Sequence, residues 1–204
     1  MPDRSPDSNS VEAEAYLSSG ADNGGVDLAL ILEQLPAVTP EAAARFGAPP
    51  ADTFVIAPAL VRPESRGTVR LASSNWQDPI VIDGNYLGTD RDLDAIVRGI
   101  ELARELGSQS AFDGVRAREV VPGPNATRSE LRELAQFASS SFGHPTGTCR
   151  MGTDKLAVVD PELRVHGIQN LGVADSSVMP SVPAAATSAA AHMIGGKAAA
   201  LLQA

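Results

Sequence analysis

A histidine on a rigid loop is the first residue whose type and surroundings suggest chemistry. His144 begins the segment HPTGTCRMG at positions 144–152. Pro145 restricts the backbone directly after the histidine, and Gly147 allows the chain to turn close to a neighbour. Because the pKa of an imidazole lies near neutral pH, His144 could act as a general acid or base. From the residues alone, the alternative is a loop histidine that is hydrogen-bonded to the backbone.

Other motifs accompany this segment in a fixed order. Downstream lie VDPELRVHG at 159–167, LGVADSSVMP at 171–180 and MIGGKAA at 193–199, and upstream lie RPESRG at 62–67, DP at 78–79 and IDGNYL at 82–87. In this order and spacing they resemble the C-terminal part of the glucose-methanol-choline (GMC) oxidoreductases, over about residues 11–203. That family binds FAD and oxidises alcohols, so the resemblance implies the same cofactor and a small alcohol substrate.

The resemblance also implies roles for individual residues. His144 matches the histidine of the family's H-P-x-G-T segment, which faces the flavin and acts on the proton of the substrate hydroxyl. Ala174 and Asp175 match the A-D-x-S-x-M-P stretch, which approaches the flavin. Asp175 could instead, or in addition, cap the turn that follows it. Ala186 and Thr187 lie where the family backbone approaches the isoalloxazine ring.

Two positions and one missing motif depart from the family pattern. Ser188 stands five positions before Met193, where the family has Asn or His. A serine can donate one hydrogen bond but cannot serve as the usual base, so Ser188 is the second predicted catalytic residue, in an altered role. Gly172 stands where the family often has Arg.

The chain has no G-x-G-x-x-G motif, which normally cradles a dinucleotide phosphate. We therefore predict the C-terminal part of an FAD-dependent alcohol oxidoreductase that needs an FAD-domain polypeptide as partner. The alternative is a non-catalytic remnant or a subunit that only binds a partner.

The helices and strands predicted around these residues indicate an α+β fold, with an antiparallel sheet covered on one side by helices. Residues 11–143 are predicted to form part of a substrate-binding domain, and 144–204 to complete an FAD domain after a disordered lead-in at 1–10. The pattern predicts helices at Asp90–Leu106, with Thr89 as N-cap and Gly107 as C-cap, and from Thr127, with Glu130 completing a capping box. Short apolar runs predict strands at 28–35, 53–61, 68–72 and 80–82, whereas 11–17 could be helix or strand.

Further along, residues 144–180 are predicted to form short strands and tight turns. A last helix is expected over Ala184–Leu202, interrupted at Gly195-Gly196. The acidic side chains of the first long helix are predicted to form its solvated face: Asp90, Asp92, Asp94, Glu101 and Glu105.

Composition limits the function further. The 204 residues carry a net charge of −9, which disfavours nucleic acid or an anionic membrane as partner. The single cysteine, Cys149, excludes an intrachain disulfide, and no His or Cys pair has metal-ligand spacing, so no metal is expected. No apolar run approaches the roughly 18 residues of a membrane span, and the polar N-terminus does not resemble a signal peptide. A cytoplasmic location is therefore predicted.

Overall fold

The computed structural model describes residues 11–21, 25–34, 38–50 and 52–202 of the chain. The predicted lead-in at 1–10 lies outside these residues. The chain divides into two compact units. The first contains the residues up to Arg66 together with Asn85–Ser140, and the second contains Gly67–Gly84 and the residues from Ser141 onward. The assignment of 11–143 to a substrate-binding domain and of 144–204 to an FAD domain stays a prediction.

A three-stranded antiparallel sheet forms the base of the first unit. Its strands are β1 (Val11–Leu17), β2 (Leu28–Glu33) and β3 (Val55–Leu60), with β2 in the middle. Leu30 of β2 pairs with Ala15 on one side and with Pro58 on the other. The start of β2 is almost fully buried, as its continuous apolar sequence suggests. The segment 11–17, for which helix and strand were both open, is a strand.

The described residues of the first unit also form three α-helices: α1 (Pro40–Phe46), α2 (Asp90–Gly107) and α3 (Arg128–Ala138). The buried core joins α2 and α3 to β2 through Leu28, Leu93, Ile96, Val97, Ile100, Leu131, Leu134 and Ala135. The predicted N-cap of α2 and the Thr127–Glu130 capping box of α3 are both confirmed. The C-cap prediction is wrong by one residue, because Gly107 is still helical and Ser108 caps the helix. The α+β class is confirmed.

Asp92 does not lie on the solvated face of α2, contrary to the prediction. Its side chain is 1% exposed, and its carboxylate accepts hydrogen bonds from Glu64 N at 2.9 Å, Ser65 N at 2.7 Å and the Ser65 hydroxyl. Burial alone would raise the pKa of Asp92, but these hydrogen bonds outweigh it and hold the pKa below its ordinary value. Asp92 therefore fixes the RPESRG segment to the first turn of α2.

The second unit combines a small hairpin with the C-terminal part of the chain. The hairpin consists of β4 (Thr68–Arg70) and β5 (Val81–Asp83), which pair antiparallel. The tight turns predicted at 144–180 are confirmed, but the short strands predicted there are wrong, because the chain makes only isolated bridges over these residues. A separate core packs there, formed by Val159, Leu163, Val178, Met179 and Ile194.

The last helix, α4 (Ser188–Leu201), differs from the expectation in two ways. It begins at Ser188 rather than Ala184, and it passes through Gly195 and Gly196 without interruption. Burial of Ile194 in the second core offers one reason, since packing on one face of a helix outweighs the weak propensity of two glycines on another.

Within the described ranges, no helix is both long and apolar enough to span a membrane. The same residues contain no group of three or more His, Cys, Asp or Glu side chains arranged to hold a metal ion.

Candidate functional site

The loop that carries His144 is fastened to a short turn later in the chain. Cys149 N donates to Ser177 O at 2.9 Å, and Met151 N donates to Val178 O at 2.8 Å. These two backbone hydrogen bonds join 149–151 to the 3₁₀ turn Ser176–Val178. The histidine therefore stands on a backbone that is held from outside its own loop.

Two further contacts fix the loop closer to the histidine. The Ser176 hydroxyl donates to Pro145 O at 3.2 Å. Gly147 has a φ of +83°, and a Cβ at this position would lie 3.4 Å from Met179 O. The glycine predicted to allow a close turn does so here, because a left-handed backbone strains any residue with a side chain.

Two side chains contact the His144 ring, one at a ring nitrogen and one through an edge-to-face aromatic contact. Its Nδ1 lies 3.2 Å from Thr187 Oγ1, and the Phe142 ring meets it edge to face with ring centroids 5.1 Å apart. Among the described residues, Nε2 of His144 has no hydrogen-bond partner. This arrangement differs from the alternative of a loop histidine bonded to backbone, because the described ring contacts are with side chains.

Thr187 immediately precedes α4 and occupies its N-cap position, yet its side chain makes no capping hydrogen bond. Thr187 is 8% exposed, and its hydroxyl contacts His144 instead. The first turn of α4 consequently lacks a side-chain cap. Uncapped N–H groups at a helix N-terminus carry partial positive charge and favour electron-rich ligands.

Asp175 caps the turn that holds the His144 loop, so the structural alternative for this residue is confirmed. Its carboxylate accepts from Ser177 N at 2.8 Å. Hydrogen bonding from Ser177 lowers the pKa of Asp175 below its ordinary value. Its predicted approach to flavin, and that of the neighbouring Ala174, stay predictions; both residues are exposed.

The remaining predicted residues lie at the start of α4. Ala186 and Ser188 are exposed and flank Thr187. The carbonyl of Ser188 accepts from His192 Nδ1 at 2.8 Å. His144 and Thr187 are thus in direct contact, Ser188 is the next residue along the chain, and Asp175 is connected to the loop through its turn.

The sequence reasoning missed three side chains of this site. It did not consider Phe142 or Ser176, and for Thr187 it predicted a role for the backbone but none for the hydroxyl. Phe142 could have been noticed because it stands two residues before His144. No local signal identifies the hydroxyl contact, since it joins positions 43 residues apart.

Comparison with known proteins identifies the family to which this chain belongs. The family model described as GMC oxidoreductase matches residues 63–195, which include the RPESRG segment from Pro63 onward, His144, Asp175 and Thr187. The match covers most of the chain and contains all or part of each motif on which the resemblance was based. The chain therefore belongs to the GMC oxidoreductase family.

Individual relatives agree with this assignment. An alcohol dehydrogenase [acceptor] of Pseudomonas putida is 38% identical over 142 residues, which are 69% of this chain and 26% of that protein. The crystal structure of pyridoxine 4-oxidase from Mesorbium loti superposes with a TM-score of 0.84 at 33% identity, over 94% of this chain and 37% of that one. A formate oxidase of Aspergillus oryzae RIB40, studied for its FAD modification, gives 0.71 at 28% identity, over 87% and 31%. The chain spans only 26–37% of the length of these relatives.

Proposed function

We propose that this chain is the C-terminal part of an FAD-dependent oxidoreductase that oxidises an alcohol by hydride transfer to the flavin, with His144 as the acid/base. One observation carries the proposal. The imidazole is held at Nδ1 by Thr187, while no described residue occupies Nε2. A general base needs an oriented ring with one nitrogen available to the substrate, which is the arrangement seen here.

The residues around His144 fit the ring end of FAD. The uncapped N-terminus of α4 offers backbone N–H groups to an electron-rich ring edge. Ala186 and Thr187 precede this helix, and Ala174 and Asp175 precede the turn that holds the His144 loop. The pyrophosphate has no comparable holder, because the chain contains no G-x-G-x-x-G motif.

When bound, FAD supplies the hydride acceptor for the alcohol carbon. Within this chain, Nε2 of His144 accepts the hydroxyl proton, so that the alcohol oxygen can form the carbonyl of the product. The Ser188 hydroxyl donates a hydrogen bond to the same oxygen. Thr187 and Phe142 keep the ring in place while the proton is transferred and later released.

The proposal includes a partner, namely an FAD-binding portion, and the chain's span of only 26–37% of its relatives' length supports it. This portion is either another part of the same polypeptide or a separate chain. The pyrophosphate would be held there by a Gly-rich turn and a helix N-terminus. We expect the 204-residue chain alone to be colourless for this reason.

The test combines the chain with an FAD-binding portion, by co-expression or fusion, and follows flavin reduction by a panel of alcohols in anaerobic stopped flow. His144→Ala should lower the reduction rate by roughly 100-fold or more, the usual size of acid/base catalysis, while flavin content stays nearly unchanged. His166→Gln is the matched control. His166 lies in the same unit, and its Nε2 contacts Gly152 O at 3.0 Å, a hydrogen bond that a glutamine amide can also donate.

Ser188 provides a graded comparison. Ser188→Ala should cost less than His144→Ala, and Ser188→Asn should preserve or raise activity, because an amide still hydrogen-bonds the substrate oxygen. Equal reduction rates for the parent and His144→Ala would remove His144 from the mechanism. A flavin-loaded complex that no alcohol reduces would favour the non-catalytic alternative.

A further inference from the structure

The hydroxyl of Thr187 contacts a histidine rather than the helix that follows it. A threonine at an N-cap ordinarily accepts a hydrogen bond from the helix that follows it, as Thr89 and Thr127 both do in this chain. Thr187 does not, because its backbone is already helical, with φ −76° and ψ −12°, whereas Thr89 and Thr127 are extended. At 8% exposure, its hydroxyl needs another partner inside the protein. Its hydroxyl lies 3.2 Å from Nδ1 of His144.

The direction of this hydrogen bond decides what His144 can do. If the hydroxyl donates to Nδ1, the neutral imidazole carries its proton on Nε2 and cannot accept another there. If Nδ1–H donates to Oγ1, Nε2 bears the lone pair. The hydroxyl oxygen has the acceptor capacity for the second arrangement, both in the neutral ring and in the imidazolium that forms when Nε2 takes a proton.

We propose that Thr187 is a positioning residue that accepts the Nδ1–H of His144 and so keeps Nε2 free as the proton-accepting atom. This inference rests on the proposed function for its catalytic meaning, although the tautomer itself is a property of this chain without flavin. The same contact holds one tautomer before proton transfer and satisfies the second N–H after it. No rearrangement of the ring is then needed during the reaction.

Nitrogen NMR of the 204-residue chain tests the tautomer directly, because protonated and unprotonated imidazole nitrogens have distinct chemical shifts. The chain has three histidines, and the other two serve as internal references. Nδ1 of His192 is hydrogen-bonded to the Ser188 carbonyl oxygen, and Nε2 of His166 is hydrogen-bonded to the Gly152 carbonyl oxygen. Since a carbonyl only accepts, neutral His192 must be Nδ1–H and neutral His166 must be Nε2–H.

Spectra are recorded at a pH of about 8.5, where an ordinary imidazole is neutral, and assigned with single His→Gln variants. We expect His144 to show the pattern of His192. A His144 pattern like that of His166 would overturn the proposal, and this decision needs no substitution at Thr187.

Two substitutions then test whether Thr187 is responsible. Thr187→Val keeps the branched shape but offers no acceptor, so a buried Nδ1–H would be unpaired and His144 should shift toward the Nε2–H pattern. Thr187→Ser restores an acceptor and should restore the parent pattern, while His166 and His192 stay unchanged in both variants. No capping hydrogen bond is lost in either variant, because Thr187 makes none. A His144 pattern that does not change in Thr187→Val would refute the role of the hydroxyl.

In the flavin-loaded complex, Thr187→Val should slow flavin reduction about 5-fold, the factor for one neutral hydrogen bond of roughly 1 kcal/mol, and Thr187→Ser should recover it. The NMR and kinetic experiments can refute the two proposals independently. If the tautomer follows Thr187 but His144→Ala does not affect the rate, the proposed function fails and the positioning of the ring stands. If His144→Ala abolishes the rate but the tautomer does not depend on Thr187, the positioning role fails and the proposed function stands.

Discussion

Asp92 connects the RPESRG segment to α2, and its removal should destabilise the first unit strongly. The carboxylate accepts three hydrogen bonds, two from backbone N–H groups and one from the Ser65 hydroxyl. Asp92→Ala would leave the amides of Glu64 and Ser65 without this acceptor inside a site where Asp92 is 1% exposed. It would also remove a negative charge from the first turn of a helix.

The magnitude follows from these losses. A hydrogen bond to a charged group contributes about 1.5–3 kcal/mol, but three bonds to one carboxylate do not add independently. The charge at the helix N-terminus contributes about 0.3–1 kcal/mol more. We expect Asp92→Ala to lower the free energy of unfolding by about 3 kcal/mol, and Asp92→Asn by somewhat less, because an amide keeps one acceptor oxygen.

Urea unfolding followed by circular dichroism measures the effect, with Asp94→Ala as the matched control. Asp94 lies on the same helix and pairs with Arg128 and Arg132 at the surface, so its loss should cost about 0–1 kcal/mol. If both variants lose the same stability, or if Asp92→Ala loses less than about 1 kcal/mol, the buried carboxylate does not hold the segment as we argue.

The pH dependence has a definite sign. The pKa of Asp92 is lower in the folded than in the unfolded chain, so its contribution is fully present above the unfolded value of about 3.9. It is lost as the pH falls through the folded pKa. The stability difference between the parent and Asp92→Asn should therefore be constant near neutral pH and shrink in strong acid. A difference that grows as the pH falls would contradict the assignment.

Two further predictions concern packing and backbone conformation, both read from the unfolding midpoint. Leu131→Ala, at a core residue that is 2% exposed, should cost about 2–5 kcal/mol, whereas Leu106→Ala, at 41% exposure, should cost far less; equal losses would refute this core. Gly147→Ala should destabilise by about 1–2 kcal/mol, because φ is +83° there and Met179 O is close. Gly196→Ala should stabilise by about 0.5–1 kcal/mol, since it lies inside α4 and a Cβ there meets nothing within 4 Å. If Gly147→Ala stabilised the protein, or Gly196→Ala destabilised it, the backbone at that position would differ from the one described.

Local patterns in the sequence were sufficient for much of the first unit. The caps at Thr89 and Thr127 depend on residues three positions apart, and each is found where the sequence predicts it. The fold class and the family also follow from the sequence, because the motifs occur in a recognisable order. The residues assigned to chemistry by that resemblance, above all His144, remain to be tested.

Contacts between distant positions were decided only by the tertiary structure. Asp92 has the sequence context of a solvated helix face, yet its partners lie 27 and 28 residues away and bury it. Thr187 falls inside the helix that the sequence predicts from Ala184, yet it precedes α4 and its hydroxyl contacts a histidine 43 residues away. Helical periodicity describes only which residues share a face, whereas burial and hydrogen bonding depend on what the rest of the chain brings to that face.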